Sequence, residues 1–279
     1  MKFFRPHFQI ATLAGEQDRF VSKIGGLPWG FPVEHWPVCC GQPQRLLVQM
    51  RHEPPMLDLG SPGAVLHLFQ CLECAGIDDG GRDTVLLHES DLGKGLVAIT
   101  GHDSEPELGN CQIGEFWIDG WEAADDGIPD ARLPEFFDEK SVWKLQDEFP
   151  QVDWFDGKDQ TRFGGSPRWT GNGPDYEPPP FEFLFQLNHR LYLDGVPPHP
   201  NQVGCGVIMF GLPENGRCEQ SGSHPDAGCE RPNAPWWILH EQGNDYHFAK
   251  FTNLGSDGVA YVFIDRTQQP HAVKWLWRR

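Results

Sequence analysis

The sequence is short of positive charge and contains no long apolar run. Its 279 residues include 22 lysines and arginines against 40 aspartates and glutamates, which gives a formal net charge of -18. A surface of that sign repels phosphate, so we expect no nucleic-acid partner. No stretch approaches the roughly 18 consecutive apolar residues of a transmembrane helix, so we expect no membrane partner either.

The N-terminal residues also lack the features of an export signal. They carry Lys2 and Arg5 but neither an apolar stretch nor a small-residue cleavage site follows. We therefore expect a cytoplasmic protein. Because cytoplasmic cysteines stay reduced, the 8 cysteines are predicted to be free thiols or metal ligands.

Familiar catalytic signatures are missing from the sequence. It contains no His-Glu-x-x-His zinc helix, no Gly-x-Ser-x-Gly elbow, no P-loop and no Rossmann fingerprint. Adjacent acids such as Asp125 and Asp126 lack the spacing of an EF-hand, and solvation explains them. We expect a protein that is not an enzyme and that needs no cofactor.

Apolar residues and turn formers are both abundant. Hydrophobic residues make up 39% of the chain, and 11 of its residues are tryptophan, which excludes a disordered polymer. The 32 glycines and 25 prolines are scattered between short apolar runs. This pattern predicts a mainly β fold of the α+β type.

Three motifs recur in the same order at nearly the same offset. Residues 22–29 match 161–169, residues 46–50 match 183–187, and residues 63–69 match 204–210. We expect a single domain, 1–279, built from two homologous β-rich halves related by a pseudo-twofold repeat. The halves are residues 15–114 and 160–265, and an acidic segment, 115–159, connects them.

The repeated motifs predict structural roles. In a Gly-Gly-x-Pro turn the glycines can take positive φ and the proline fixes the direction of the chain that follows. A glutamine inside an apolar strand is expected to be a buried amide bonded to a neighbouring backbone. These structural residues are Gly25, Gly26, Pro28, Gln49, Gly164, Gly165, Pro167 and Gln186.

More than half of the excess negative charge lies within 115–159, where aromatic residues are also frequent. Aromatic anchors ringed by carboxylates are typical of a protein-binding surface, although the acids could serve only solubility and the aromatics only a core. The residues that we expect to bind a basic partner protein are Glu115, Asp119, Trp121, Glu122, Asp125, Asp126, Asp130, Glu135, Phe136, Asp138 and Glu139. Reversing the charge of Asp125, Asp126, Glu135, Asp138 and Glu139 is expected to weaken binding without unfolding the protein.

The Gly-Gly-x-Pro turns, the Trp-Pro dipeptide at 36–37 and the glutamine-bearing strands resemble the bacterial YwqG-like family, a domain of unknown function, over about residues 20–265. The resemblance implies a mainly β fold with an internal repeat. It also implies an immunity protein that neutralises a cognate antibacterial toxin, a nuclease effector of type VI secretion. A basic nuclease would suit an acidic inhibitor.

Residues 23–49 are also similar to the programmed-cell-death-two proteins, which are ribosomal-protein chaperones. In that family a Cys-x-x-Cys-Gly pair begins a cysteine cluster, whereas Pro37 stands three residues before Cys40 here. The alternative function is therefore a chaperone or adaptor for a basic protein, with zinc as one option.

Cys71 and Cys74 have the two-residue spacing that lets two thiolates reach one zinc ion. Either Cys39 or Cys40 could add a third ligand, but adjacent cysteines rarely both bind one ion. A fourth ligand is then expected elsewhere, and the second half offers a separate set; these further candidates are His35, His67, Cys218, His224 and Cys229. We predict buried free thiols, no bound metal and a fold that survives chelation.

Overall fold

The structure is a computed structural model that describes residues 1–10, 17–71, 74, 81–99, 115–154, 158–170, 174, 176–193, 207–209, 237–240, 247–250, 254 and 258–278. Within these residues the fold is mainly β, as the composition predicts. A ten-stranded sheet has the order β16-β15-β10-β9-β1-β8-β2-β5-β6-β7. Its strands are β1 (Lys2–Ile10), β2 (Lys23–Ile24), β5 (Arg45–Arg51), β6 (Ala64–Gln70), β7 (Arg82–His88), β8 (Phe116–Asp125), β9 (Arg162–Phe163), β10 (Glu182–Asn188), β15 (Val259–Asp265) and β16 (Ala272–Arg278).

Two smaller sheets accompany it. One has the order β11-β14-β13-β12, and the other is the hairpin of β3 (Val38–Cys39) and β4 (Gln42–Pro43). The strands of the four-stranded sheet are β11 (Arg190–Leu193), β12 (Val207–Met209), β13 (Trp237–His240) and β14 (His247–Lys250). Helical structure includes α1 (Glu139–Glu148) and the short 3₁₀ segments Val33–His35, Glu89–Asp91, Asp130–Phe137 and Lys158–Gln160.

The core lies along strands that are apolar on both faces. Every residue of β6 and of β15 is buried, which is the pattern of a strand covered on both sides. The two ends of the main sheet also approach each other, since the Thr84 hydroxyl of β7 donates to the Val273 carbonyl of β16 at 2.5 Å. The sheet is therefore nearly closed.

The acidic segment contributes a central strand of the main sheet. Its strand β8 pairs with β1 along nine register positions and with β2 on the other side. The strand order is similar on the two sides of the β1–β8 pair. From β8 it runs through β2, β5, β6 and β7, and from β1 through β9, β10, β15 and β16.

In the first half, the Gly-Gly-x-Pro turn is attached to β5. Gly25 and Gly26 take φ values of 71° and 70°, and the Gly25 N–H donates to the Leu47 carbonyl at 2.8 Å. The Gln49 Oε1 accepts from the Trp29 N–H at 2.7 Å. Its Nε2 donates to the Val21 carbonyl at 2.9 Å. One buried amide thus ties both sides of the turn to the strand.

The second half contains the same arrangement. Gly164 and Gly165 take φ values of 69° and 66°, and the Gly164 N–H donates to the Leu184 carbonyl at 3.0 Å. The Gln186 Oε1 accepts from the Arg168 N–H at 2.7 Å. Its Nε2 donates to the Gln160 carbonyl at 3.1 Å.

The third sequence match is wrong. In the first half, β5 pairs with β6, which contains most of the matched residues 63–69. In the second half, β10 pairs with β15 and not with residues 204–210. Residues 207–209 form β12 of the smaller sheet, and the rest of that stretch lies outside the described residues. Strands β11 to β14 of the smaller sheet separate β10 from β15 along the chain, whereas β6 follows β5 directly.

Candidate metal centre and acidic surface

Cys39 and Cys40 occupy the tip of the β3–β4 hairpin. Cys39 pairs with Gln42, so Cys40 and Gly41 form a two-residue turn. Both turn residues have positive φ, 52° and 75°, which is the backbone of a type I′ turn. A cysteine in this left-handed conformation is unusual, since it carries a β carbon. The turn lets two consecutive thiols point to one place.

Cys71 and Cys74 follow β6, next to this hairpin. The Cys71 N–H donates to the Gly81 carbonyl at 2.6 Å. Gly81 has φ of 66°, and a β carbon at that position would overlap the β carbon of Cys71. A glycine is therefore required where the loop returns.

The four sulfur atoms of these cysteines all lie within 4.8 Å of one another. The Cys39–Cys74 and Cys39–Cys40 sulfurs are each 3.8 Å apart, and the Cys40–Cys74 sulfurs are 3.5 Å apart. A disulfide would require about 2.05 Å. Zinc bonded to four thiolates at about 2.3 Å has sulfur–sulfur edges of about 3.8 Å by tetrahedral geometry. The arrangement therefore suits a tetrahedral thiolate site.

The thiol pKa values in the cluster are raised, as expected for thiols crowded around one centre. Hydrogen bonds with Cys40, Cys39 and Cys71 raise the pKa of Cys74 to about 12. The hydrogen bond with Cys71, together with burial, raises the pKa of Cys39. Crowded thiols retain their protons because adjacent thiolates repel. A divalent cation would neutralise that repulsion and release the protons on binding.

The sequence predicts a fourth ligand away from the cysteine pairs, whereas the structure brings four thiols together. The turn at Cys40 allows adjacent cysteines to face the same centre, which a sequence rule about neighbours does not consider. His67 is instead fully buried against Phe31, with ring centroids 4.8 Å apart, and burial lowers its pKa to about 3. His35 is exposed in a 3₁₀ segment. Cys218, His224 and Cys229 lie outside the described residues.

Several acids expected to bind a partner are engaged within the chain. The Glu115 carboxylate accepts from the buried Lys23 ammonium and from the Trp117 indole, both at 2.8 Å. Asp126, whose side chain is 3% exposed, lies 2.8 Å from the Met1 amino group and 3.0 Å from the Arg168 guanidinium. These two carboxylates balance buried cations.

Other members of the set have local partners. Glu122 pairs with Arg5 at 3.1 Å, and Glu135 pairs with Arg132. Asp125 lies 3.1 Å from the Met1 amino group. The Asp138 carboxylate caps α1 by accepting from the Ser141 N–H at 2.9 Å, and hydrogen bonds from the Ser141 side chain and backbone lower the pKa of Asp138. Among the described residues, the exposed members of the set with a distant ion-pair partner or none are Asp119, Asp130 and Glu139.

The two aromatic residues of the predicted set pack inside the protein and do not form an exposed anchor. Phe136 is fully buried, and the Trp121 ring packs on Phe163 with centroids 4.9 Å apart. Trp143 is instead 45% exposed on α1. Glu139 and Asp147 lie one turn before and after it, so they share its helix face. We name Glu139, Trp143 and Asp147 the α1 surface.

Sequence reasoning missed Trp143 as an anchor, although helical spacing offered a signal. In α1 the buried residues are Val142 and Leu145, and Trp143 falls on the opposite side. Assigning Trp143 to the exposed face requires the start of the helix, and the N-cap residue Asp138 marks that start.

Comparisons of the chain with models of known families, with curated proteins and with solved structures found no match. Among the described residues, every helix is too short or too polar to cross a membrane.

Proposed function

We propose that the protein is a cytoplasmic immunity protein that binds and neutralises a basic antibacterial toxin. The observation that supports this most is the α1 surface, an exposed tryptophan between two carboxylates on a chain of net charge -18. A tryptophan can supply the buried anchor of an interface, and carboxylates steer a cationic partner toward it. The proposed toxin is a nuclease effector of type VI secretion, because a protein that cuts nucleic acid carries basic surface.

The proposal extends to origin and family. The matching turn geometry around Gln49 and Gln186, together with the matching strand order, supports duplication of an ancestral unit. The same turns support membership of the YwqG-like family, whose immunity proteins motivate the function proposed here.

Co-expression with the toxin domain encoded beside the gene tests this function. Wild-type protein should protect cells and co-purify with the toxin at one-to-one stoichiometry. The variant Trp143→Ala should lose most of this protection while it retains its melting temperature, because the residue is exposed. Val38→Ala serves as a matched control, since Val38 is 64% exposed and lies away from α1. Full protection by Trp143→Ala would remove the α1 surface from the interface.

Salt dependence provides a second readout. Screening acts over a Debye length of about 8–10 Å, so it weakens long-range attraction before contact. The association rate should therefore fall as salt rises, whereas the dissociation rate should change little. A dissociation rate that carries the whole salt effect would contradict steering.

The cysteine cluster favours a second candidate, a zinc-binding chaperone or adaptor for a basic protein such as a ribosomal protein. Cys39, Cys40, Cys71 and Cys74 would hold the ion, which would join the β3–β4 hairpin to the chain after β6. Stabilisation of a purified basic ribosomal protein against aggregation, without protection from a toxin, would select this candidate over the immunity protein.

A further inference from the structure

A groove lies on the β2 and β5 side of the main sheet, away from the α1 surface. This groove has a volume of about 780 Å³ and lies where the Gly-Gly-x-Pro turn, β8 and the end of β5 meet. Trp29 comes from the turn and Trp117 from β8, and both rings are half-buried. Three carboxylates line it, those of Glu53, Glu89 and Asp119, against two guanidinium groups.

The equivalent place in the second half is filled by the chain itself. Arg168 holds the position of Trp29, because both backbone N–H groups donate to the matching glutamine. The Arg168 guanidinium contacts the Asp126 carboxylate at 3.0 Å and lies 4.3 Å from the centre of the Trp154 ring. The segment after β8 therefore supplies both an acid and an aromatic ring to this cation.

A second matched position repeats the contrast. Trp117 lies one residue beyond the Phe116–Ile24 pair, and Arg5 lies one residue beyond the corresponding Phe4–Phe163 pair. Arg5 is bound by Asp159 at 2.6 Å. At these two pairs of matched positions, Arg168 and Arg5 thus have internal acids, whereas Trp29 and Trp117 line the groove.

At these two matched positions the groove therefore has aromatic groups, with acidic groups nearby, in place of arginines. Tryptophan is the strongest aromatic partner for a lysine or arginine side chain, and nearby carboxylates strengthen the attraction. Arg19 and Arg51 also line the groove, but Glu53 and Asp119 have no ion pair among the described residues.

We propose that the groove binds a lysine or arginine side chain carried by a segment of the basic partner protein. The inference rests on the proposed function for the identity of the partner, but the groove chemistry can be tested alone. In the complex it would be a second contact, separate from the α1 surface. Two separate contacts would give specificity that overall charge cannot give.

Calorimetric titration with a twelve-residue peptide of alternating lysine and glycine tests the groove. The variant Glu53→Gln/Asp119→Asn should bind the peptide about tenfold more weakly than wild type, with an unchanged melting temperature. Glu34→Gln/Glu182→Gln removes the same charge from exposed sites outside the groove and should change binding by less than about twofold. Equal weakening by the two double variants, or no binding by wild type, would overturn the proposal.

The toxin co-expression assay separates the two proposals. If the groove variant protects as well as wild type while Trp143→Ala does not, the groove proposal fails and the immunity function stands. If the toxin binds neither the wild-type protein nor the groove variant, but the groove variant still binds the peptide more weakly than wild type, the immunity function fails. The groove then stands as a cation site.

Discussion

Two buried glutamines tie the repeated turns to the sheet, and each acts through both atoms of one amide. Replacing Gln49 by leucine would leave the Trp29 N–H and the Val21 carbonyl without their partners in a buried region. We expect Gln49→Leu and Gln186→Leu each to lower the free energy of unfolding by about 1–3 kcal/mol. Urea denaturation checks this. As a control, Gln151→Leu, at an exposed turn, should change the free energy of unfolding by less than about 0.5 kcal/mol.

His67 makes stability sensitive to acid. Burial lowers the pKa of His67 to about 3 from 6.5, so below pH 6.5 the unfolded chain takes up a proton that the folded chain refuses. The free energy of unfolding therefore falls as pH falls, by about 1.4 kcal/mol per pH unit, or about 2 kcal/mol from pH 6.5 to pH 5 for this residue. The variant His67→Leu should show a shallower slope over this interval. Identical slopes would mean that His67 takes up its proton equally in the folded and the unfolded chain.

At the scale of elements, the cysteine cluster joins two loops at one edge of the main sheet. We expect one Zn²⁺ or Co²⁺ per chain, with the absorption spectrum of a tetrahedral Co²⁺ thiolate. Cys40→Ser should abolish that spectrum. Chelation should increase hydrogen exchange in β3–β4 and the chain after β6 while the main sheet persists, because its core is large and apolar. Unfolding of the whole chain on chelation would contradict this.

The cap of α1 affects how the acidic surface can be tested. Asp138→Ala should destabilise the protein by about 1 kcal/mol, because the Ser141 N–H loses its acceptor. Charge reversal at Asp126 should cost more, since it would face the buried Arg168 and Arg162 guanidinium groups and leave them without their acid. The five-site reversal suggested by the sequence would therefore unfold the protein.

A reversal restricted to Asp119, Asp130, Glu139 and Asp147 avoids these contacts. These residues are exposed, so thermal denaturation should show a stability close to that of wild type. Toxin binding should weaken, with the loss mainly in the association rate. A folded quadruple variant that binds as wild type does would leave the negative charge with a solubility role.

The contrast between turns and acids shows what sequence can predict. Gly25, Gly26 and Gln49 act within a short stretch of chain, so residue type and spacing carry the information. The partners of Asp126 come from Met1, Arg162 and Arg168, and only the sheet register brings them together. The same holds for the cysteine cluster, where the left-handed turn at Cys40 decides the geometry. Charge and composition predict what a segment contains, but not which of its groups remain exposed.

At the scale of the whole molecule, the near-closed sheet should make the halves interdependent. Strand β1 of the first half pairs with β9 of the second, and β7 approaches β16. We expect residues 1–114 or 160–279 expressed alone to be insoluble or unfolded by circular dichroism, because each lacks β8 or β1 from the centre of the sheet. Cooperative unfolding of either fragment alone would contradict this.

The pairing of β1 with β8 has a consequence for the nascent chain. Strand β1 leaves the ribosome first, but β8 begins only at Phe116. At about 5–20 residues per second, the apolar side chains of β1 wait roughly 5–25 s for their partner strand to be made. Phe3 and Phe8, buried in the finished protein, are exposed during that interval. The first strand to be synthesised must thus wait for the eighth before the two can pair.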